Sequence, residues 1–198
     1  SYDGISLYIA SDTPSTPRFK MSSGGSVTSV TATTALTNGN WTHIAGVFHA
    51  AVHGSCTSPH LDIYINGNLE NCANATSPAA FSYSERIGRS HSELDSNTIE
   101  ANTKLNAIID EVRFWKAART QAQIQTWMNQ EINETNWNQA NPNNELIGYW
   151  KLNEGAGSTI IDSSGTGNGG VKNYCTDCAT ATPTTISWDG GWVAGKLF

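Results

Sequence analysis

The alternation of apolar and polar residues along the chain predicts a series of short β-strands. A period of two is typical of strands with one buried face. Asn, Gly, Ser and Pro between these segments favour turns. The predicted strands span residues 5–10, 18–21, 26–34, 41–49, 61–69, 86–89, 105–115, 147–152, 185–188 and 192–198.

Residues 61–69 contain the clearest hairpin signal. An Asn-Gly pair at 66 and 67 lies between alternating apolar residues and supplies the positive φ angles that a type I′ turn needs. One face of this hairpin should be core and the other wet. The core face would hold Leu61, Ile63 and Ile65, and the wet face Asp62 and Tyr64.

The hydrophobic period changes from two to about 3.6 within residues 105–128, so that a strand leads into a helix. Thr120 and Gln123 have the spacing of a capping box. Ile124, Trp127 and Met128 then recur at i, i+3 and i+4. We therefore expect one short helix near residues 120–129, with one apolar stripe packed on a sheet.

Composition narrows the class of protein. A chain of 198 residues can form one all-β domain. Its net charge of −6 argues against a nucleic-acid partner, which would require a basic surface. No apolar run approaches the roughly 20 residues that span a bilayer, so we predict no membrane insertion. The surplus of acidic residues suits a secreted protein, a cation site or a neutral partner such as a glycan.

Four cysteines, an even number in a chain rich in Thr, Ser, Asn and Gly, favour disulfides in an oxidising compartment. Three connectivities are open. Because Cys56 and Cys72 flank the hairpin, we favour the pairs 56 with 72 and Cys175 with Cys178. The alternative is a zinc site, but one C-x-x-C motif without a second such motif or a His pair is weak support for it.

Several segments together resemble a known family. They are residues 40–48 (NWTHIAGVF), 61–68 (LDIYINGN), 87–89 (IGR), 109–116 (IDEVRFWK) and the GYWKLNEGAG that begins at Gly148. In this order they resemble the laminin G-like, concanavalin A-like jelly-roll repeats of secreted bacterial surface proteins. The resemblance spans nearly the whole chain. It implies an all-β, two-sheet antiparallel sandwich formed by residues 1–198 as a single domain.

The sequence departs from this family pattern at its start. Such modules usually begin with further strands before the segment that residues 2–10 resemble. Those strands would lie upstream in a longer protein, come from another chain, or be replaced by the tail. Residues 192–198 (WVAGKLF) also resemble the lead-in to a neighbouring module or strand.

The resemblance implies calcium in many relatives, and the acidic loop 90–102 is the first place to look. Carboxylate and amide oxygens are the ligands that a hard cation requires, although their spacing is not that of an EF-hand. The candidate calcium ligands are Glu93, Asp95, Asn97 and Glu100. A second possible oxygen cluster consists of Asp110, Asp162 and Asn168.

An enzymatic interpretation is disfavoured. Jelly-roll glycoside hydrolases place two carboxylates on a Glu-x-Asp-x-Glu strand. Here Asn97 occupies the position of the second Glu, and its surroundings are rich in Ser. His49 and His53 are spaced i, i+4, but that spacing indicates a metal site only on a helix, and this segment is predicted to be a strand followed by a loop.

Together these features predict a non-catalytic, secreted or cell-surface binding and adhesion module. Its ligand would be a glycan or a surface protein, with calcium as a candidate cofactor. Trp137, Trp188 and Trp192 are the candidate stacking residues. The alternative is a structural building block of a surface fibre or layer, in which neighbouring copies of the chain exchange strands.

Overall fold

The computed structural model describes residues 4–10, 15–52, 55–77, 87–88, 105, 107–156, 158–167, 169–171 and 192–197, with the backbone alone for 170, 171 and 192–197. Most elements in this part of the chain are short strands. They are β1 (Gly4–Ile9), β2 (Pro17–Ser23), β3 (Ser26–Thr31), β4 (Thr42–His49), β5 (His60–Ile65), β6 (Asn68–Asn74), β7 (Ile109–Trp115), α1 (Gln121–Trp127), α2 (Trp137–Ala140), β8 (Leu146–Trp150), β9 (Thr159–Ile160), β10 (Gly170–Val171) and β11 (Trp192–Leu197).

The strands form antiparallel sheets. A three-stranded sheet has the order β1-β2-β3, and a six-stranded sheet has the order β6-β5-β4-β11-β7-β8. A short pair, β9 and β10, adds a third ladder. The predicted all-β, antiparallel sandwich is confirmed, as is the short helix near residues 120–129, and the described residues add the four-residue helix α2.

The main core lies between the two larger sheets. Phe19 and Met21 of β2 and Val30 of β3 pack against Ile44 and Phe48 of β4. Gly46 lets the Phe19 ring lie directly on β4, because a Cβ at this position would be 2.4 Å from the ring. The sheets therefore approach each other closely at this contact.

A bulge interrupts β7. Glu111 has a φ of 57°, and the register against β11 shifts at this point. The extra residue changes the alternation that the sequence predicts, since Ile109 packs in the same cluster as Val112 and Phe114.

The outer face of the six-stranded sheet is also buried, and here the prediction of a wet face was wrong. Asp62 and Tyr64 are both completely buried on that face. Helix α1 covers part of it, with Ile124 packed against Tyr64. The predicted capping box at Thr120 and Gln123 is confirmed. A helix that packs its apolar stripe on a sheet removes that face from water.

Arg113 fixes the end of the helix. Its guanidinium donates a 2.7 Å hydrogen bond to the carbonyl of Trp127 and a second hydrogen bond to the carbonyl of Gln130. It also forms an ion pair with Glu111. A cation at a helix C-terminus is favourable because the last carbonyls carry partial negative charge. Tyr149 completes the network by donating to Glu111 over 2.7 Å. These polar groups thus have structural partners.

Strand β11 lies in the middle of the large sheet. It pairs with β4 on one side and with β7 on the other, both antiparallel. The tail therefore supplies an internal strand to its own domain.

Candidate functional site

A cleft of about 390 Å³ opens at one end of the sandwich, where the β3–β4 connection meets the β5–β6 turn. Its volume lies within the range typical of ligand sites, about 300–1,000 Å³. The indole of Trp41 is 47% exposed there. We call it the end cleft, and its lining residues are Thr34, Ala35, Leu36, Thr37, Asn40, Trp41, Thr42, Ile65 and Asn66.

The β5–β6 turn forms one wall of the end cleft. Asn66 and Gly67 have φ angles of 49° and 75°, which confirms the predicted two-residue turn with two positive φ angles. The Asn66 side-chain oxygen accepts a 3.0 Å hydrogen bond from the His43 amide. This bond holds Asn66 in place, and its side-chain NH₂ group is the part that could donate to a ligand.

Glu70 of β6 holds the opposite wall. Its carboxylate accepts hydrogen bonds from the backbone amides of Thr33 and Thr34, at 3.1 and 2.9 Å, and from both hydroxyls. Burial raises the pKa of Glu70, but these hydrogen bonds outweigh it and hold the pKa below its ordinary value. The wall is thus fixed before any ligand arrives, which lowers the entropy cost of binding.

The chemistry of the end cleft is that of a neutral polar ligand. Its lining residues are apolar, hydroxyl or amide in character, with no Asp, Glu, Lys or Arg among them. An exposed aromatic face beside amide and hydroxyl groups suits a ring that has both C–H faces and O–H edges.

A second cluster lies at the other end of β4 and β5, on the outer face. His49 and His60 are directly opposite in the register, and their rings stack with centroids 5.1 Å apart. Asp62 follows on the same face, with its carboxylate 3.3 Å from His49 Nε2 and 3.5 Å from His60 Nε2. We call these three residues the His-Asp-His cluster.

The carboxylate of Asp62 is held ionised. Burial raises its pKa, but hydrogen bonds from His49 and Tyr64, together with the charges of both histidines, lower it below its ordinary value overall. The Tyr64 hydroxyl donates to Asp62 Oδ2 over 3.0 Å. The same contact, with burial as the larger cause, raises the pKa of Tyr64.

The predicted disulfide between Cys56 and Cys72 is present, with 16 residues of sequence separation. Cys72 lies directly opposite Asp62 in the β5–β6 register. The disulfide therefore ties the β4–β5 loop to the sheet beside the His-Asp-His cluster. The second predicted pair, Cys175 and Cys178, lies outside the described residues.

The other predicted site residues are distributed as follows. Trp137 is half-buried and packs against a cluster that includes Trp115 and Tyr149, so its role in stacking stays a prediction. For Trp192 the structure describes only the backbone, in β11. The candidate calcium ligands Glu93, Asp95, Asn97 and Glu100, and the stacking candidate Trp188, lie outside the described residues.

Asp162 belongs to the second proposed oxygen cluster, which stays a prediction because Asn168 of that cluster lies outside the described residues. Its carboxylate accepts four hydrogen bonds of 2.9 Å, from the amides of Tyr149 and Ser164 and from the hydroxyls of Ser164 and Thr166. Through these hydrogen bonds the Asp162 carboxylate anchors the loop that follows β9.

Sequence reasoning did not identify the two sites that the described residues form. Trp41 is in a predicted strand, where an indole is expected to fill the core. The i, i+4 spacing of His49 and His53 is a pattern along the chain, whereas His49 and His60 meet across two paired strands. The sequence signal for this contact is that His49 and His60 flank the 50–59 loop, whose ends meet when the two strands pair.

Comparison with known proteins gives one match. A laminin G model, described as the concanavalin A-like lectin/glucanases superfamily, matches residues 1–125. No curated protein and no solved structure matches the chain significantly. Among the described residues, no helix is long and apolar enough to cross a bilayer.

Proposed function

Because this chain belongs to the concanavalin A-like lectin/glucanases superfamily, we propose that it is a non-catalytic binding module that takes a neutral glycan in the end cleft. Laminin G-like domains are generally non-catalytic binding modules and are typically extracellular. The Cys56–Cys72 disulfide fits an oxidising compartment. These two observations support our proposal that it is a secreted or cell-surface module.

The observation that carries the glycan proposal is the exposed Trp41 in a cleft whose described lining residues include no charged side chain. A sugar ring would stack its C–H face on the indole, while Asn40, Asn66 and Thr37 would meet its hydroxyls. The lack of a lining cation disfavours sulfated or uronic sugars, since their anionic groups are usually paired with Arg or Lys.

The experiment is a screen of neutral and acidic glycans on an array, followed by calorimetric titration of the best binder. We expect neutral glycans to bind and Trp41→Ala to weaken binding at least about 10-fold, since stacking and contact area contribute about 1–3 kcal/mol. Trp137→Phe is the matched control, because it alters an indole elsewhere while keeping a packed ring.

Three outcomes separate the candidates. Loss of binding in Trp41→Ala alone supports the end cleft. Loss only in Trp137→Phe, or in Ala variants of Trp188 or Trp192, would transfer the proposal to those indoles. Binding to a surface protein with unchanged affinity in Trp41→Ala, and to none of the glycans, would overturn it.

A further inference from the structure

The His-Asp-His cluster offers the donor atoms of a transition-metal site. One possible ligand atom from each of His49, His60 and Asp62 lies within 4.8 Å of those of the other two. Imidazole nitrogen and carboxylate oxygen are common zinc ligands, whereas calcium prefers oxygen alone. The chemistry of the cluster therefore differs from that of the predicted calcium loop.

The spacing is close to that of a tetrahedral site. With zinc bonds of about 2.0–2.2 Å, ligand atoms around one ion lie about 3.4 Å apart. The two histidine nitrogens are 3.3 and 3.5 Å from the nearest oxygens of Asp62. These two contacts use different carboxylate oxygens, and the possible ligand atoms of the three residues lie within 4.8 Å of one another, so the side chains must close in by about 1 Å for all three to reach one ion.

The backbone sets this geometry. His49 and His60 are a directly opposed pair of β4 and β5, and Asp62 is two residues further along the same face. The Cys56–Cys72 disulfide and a 2.8 Å hydrogen bond from the Ala75 amide to the Pro59 carbonyl fix the adjoining loop. Ligands placed on paired strands are held more precisely than ligands on loops.

The surroundings also fit a bound ion. Tyr64 donates to Asp62 Oδ2 and thereby orients the carboxylate, as outer-shell partners do in metal sites. The side chains of His60 and Asp62 are 0% and 1% exposed, while that of His49 is 12% exposed. His49 thus marks the side from which an ion could enter and where a fourth ligand, a water molecule, could bind.

We propose that His49, His60 and Asp62 bind one zinc ion, with Tyr64 as a positioning residue. The site lies at the opposite end of β4 and β5 from the end cleft, so it is independent of glycan binding there. Its role is to cross-link the two strands on the outer face, next to the disulfide.

The test uses the full chain, oxidised and without a polyhistidine tag, stripped with chelator and then titrated with zinc chloride near pH 7.5. We expect one zinc per chain in calorimetry. At a free zinc concentration 100 times the dissociation constant, the melting temperature should rise by about 5–10 °C. Cobalt(II) should give the strong visible absorption of a four-coordinate ion.

Variants identify the ligands. His49→Gln changes the most exposed ligand, so it should fold, and we expect zinc affinity to fall about 100-fold or more. Tyr64→Phe should lower it about 10-fold or more while cobalt absorption stays four-coordinate. His43→Gln is the matched control, since it alters another buried histidine on the same face of β4 and should bind zinc normally.

Two results would overturn the proposal. One is the absence of zinc binding at one equivalent in the wild-type chain, which would leave the cluster with a packing role alone. The other is zinc binding that His49→Gln and Asp62→Asn both leave unchanged. In neither case would the affinity for glycan be affected.

Discussion

The contact between Gly46 and Phe19 gives the sharpest test of how the two sheets meet. In Gly46→Ala the new Cβ would lie 2.4, 2.4 and 2.8 Å from three atoms of the Phe19 ring. Favourable contacts between carbon atoms are about 3.5–4.0 Å, so the overlap exceeds 1 Å. Phe19 is 0% exposed, and β4 is paired on both sides, so neither partner can move away easily.

The expected cost is therefore near the upper end of overpacking, about 3 kcal/mol in the free energy of unfolding. Chemical unfolding by urea, followed by Trp fluorescence, measures it. With an m-value of about 2–3 kcal/mol/M, the midpoint should fall by about 1–1.5 M. Gly4→Ala is the control, because a Cβ at Gly4 has no atom within 4 Å.

A double variant isolates the contact. Phe19→Leu removes part of the ring and should restore at least about 1 kcal/mol when combined with Gly46→Ala, compared with the sum of the single effects. A midpoint for Gly46→Ala equal to that of Gly4→Ala would refute the close approach of the sheets at this point.

Four further outcomes are expected. Glu70→Gln should lower the free energy of unfolding by about 1 kcal/mol at pH 7, because it removes hydrogen bonds to a partly exposed charge. Because folding lowers the pKa of Glu70, its contribution to stability is present above about pH 4.5 and is lost as the pH falls further. The unfolding free energies of the wild type and the variant should therefore converge in acid, and a difference that stays constant with pH would contradict the hydrogen bonds from Thr33 and Thr34 to this carboxylate. Replacing Cys56 and Cys72 together by Ser should cost about 3 kcal/mol in urea unfolding, as expected for a closed loop of this length, and a smaller loss than 1 kcal/mol would contradict it. Calcium should raise the melting temperature relative to chelator if the 90–102 loop binds it, and an unchanged value would remove that site. Because β11 pairs with β4 and β7 of its own chain, native mass measurement should detect no dimer held by exchange of this strand, and such a dimer would contradict the topology.

Local chemistry explains what the sequence could predict. The Asn66-Gly67 turn, the capping box at Thr120 and the continuous buried run of β4 each depend on residues close in sequence. The disulfide between Cys56 and Cys72 followed because both cysteines flank one hairpin. Short-range rules were sufficient for these elements.

Features that depend on long-range packing could not be predicted. The burial of Tyr64 depends on Ile124 of helix α1, 60 residues later in the chain, which packs against it. The bulge at Glu111 depends on pairing with β11, and the His49–His60 contact depends on a register that no local pattern reveals. Trp41 directly precedes β4, which begins at Thr42, so it lies outside the strand and is exposed.

The internal position of β11 also determines the order in which the domain can mature. All other strands of the large sheet precede β11 in the sequence, so until β11 is added, β4 and β7 lack the partner that lies between them. Unpaired edges are templates for aggregation. Completion of the domain must therefore follow the emergence of residue 197 from the ribosome, and a chaperone or rapid export would protect the chain until then.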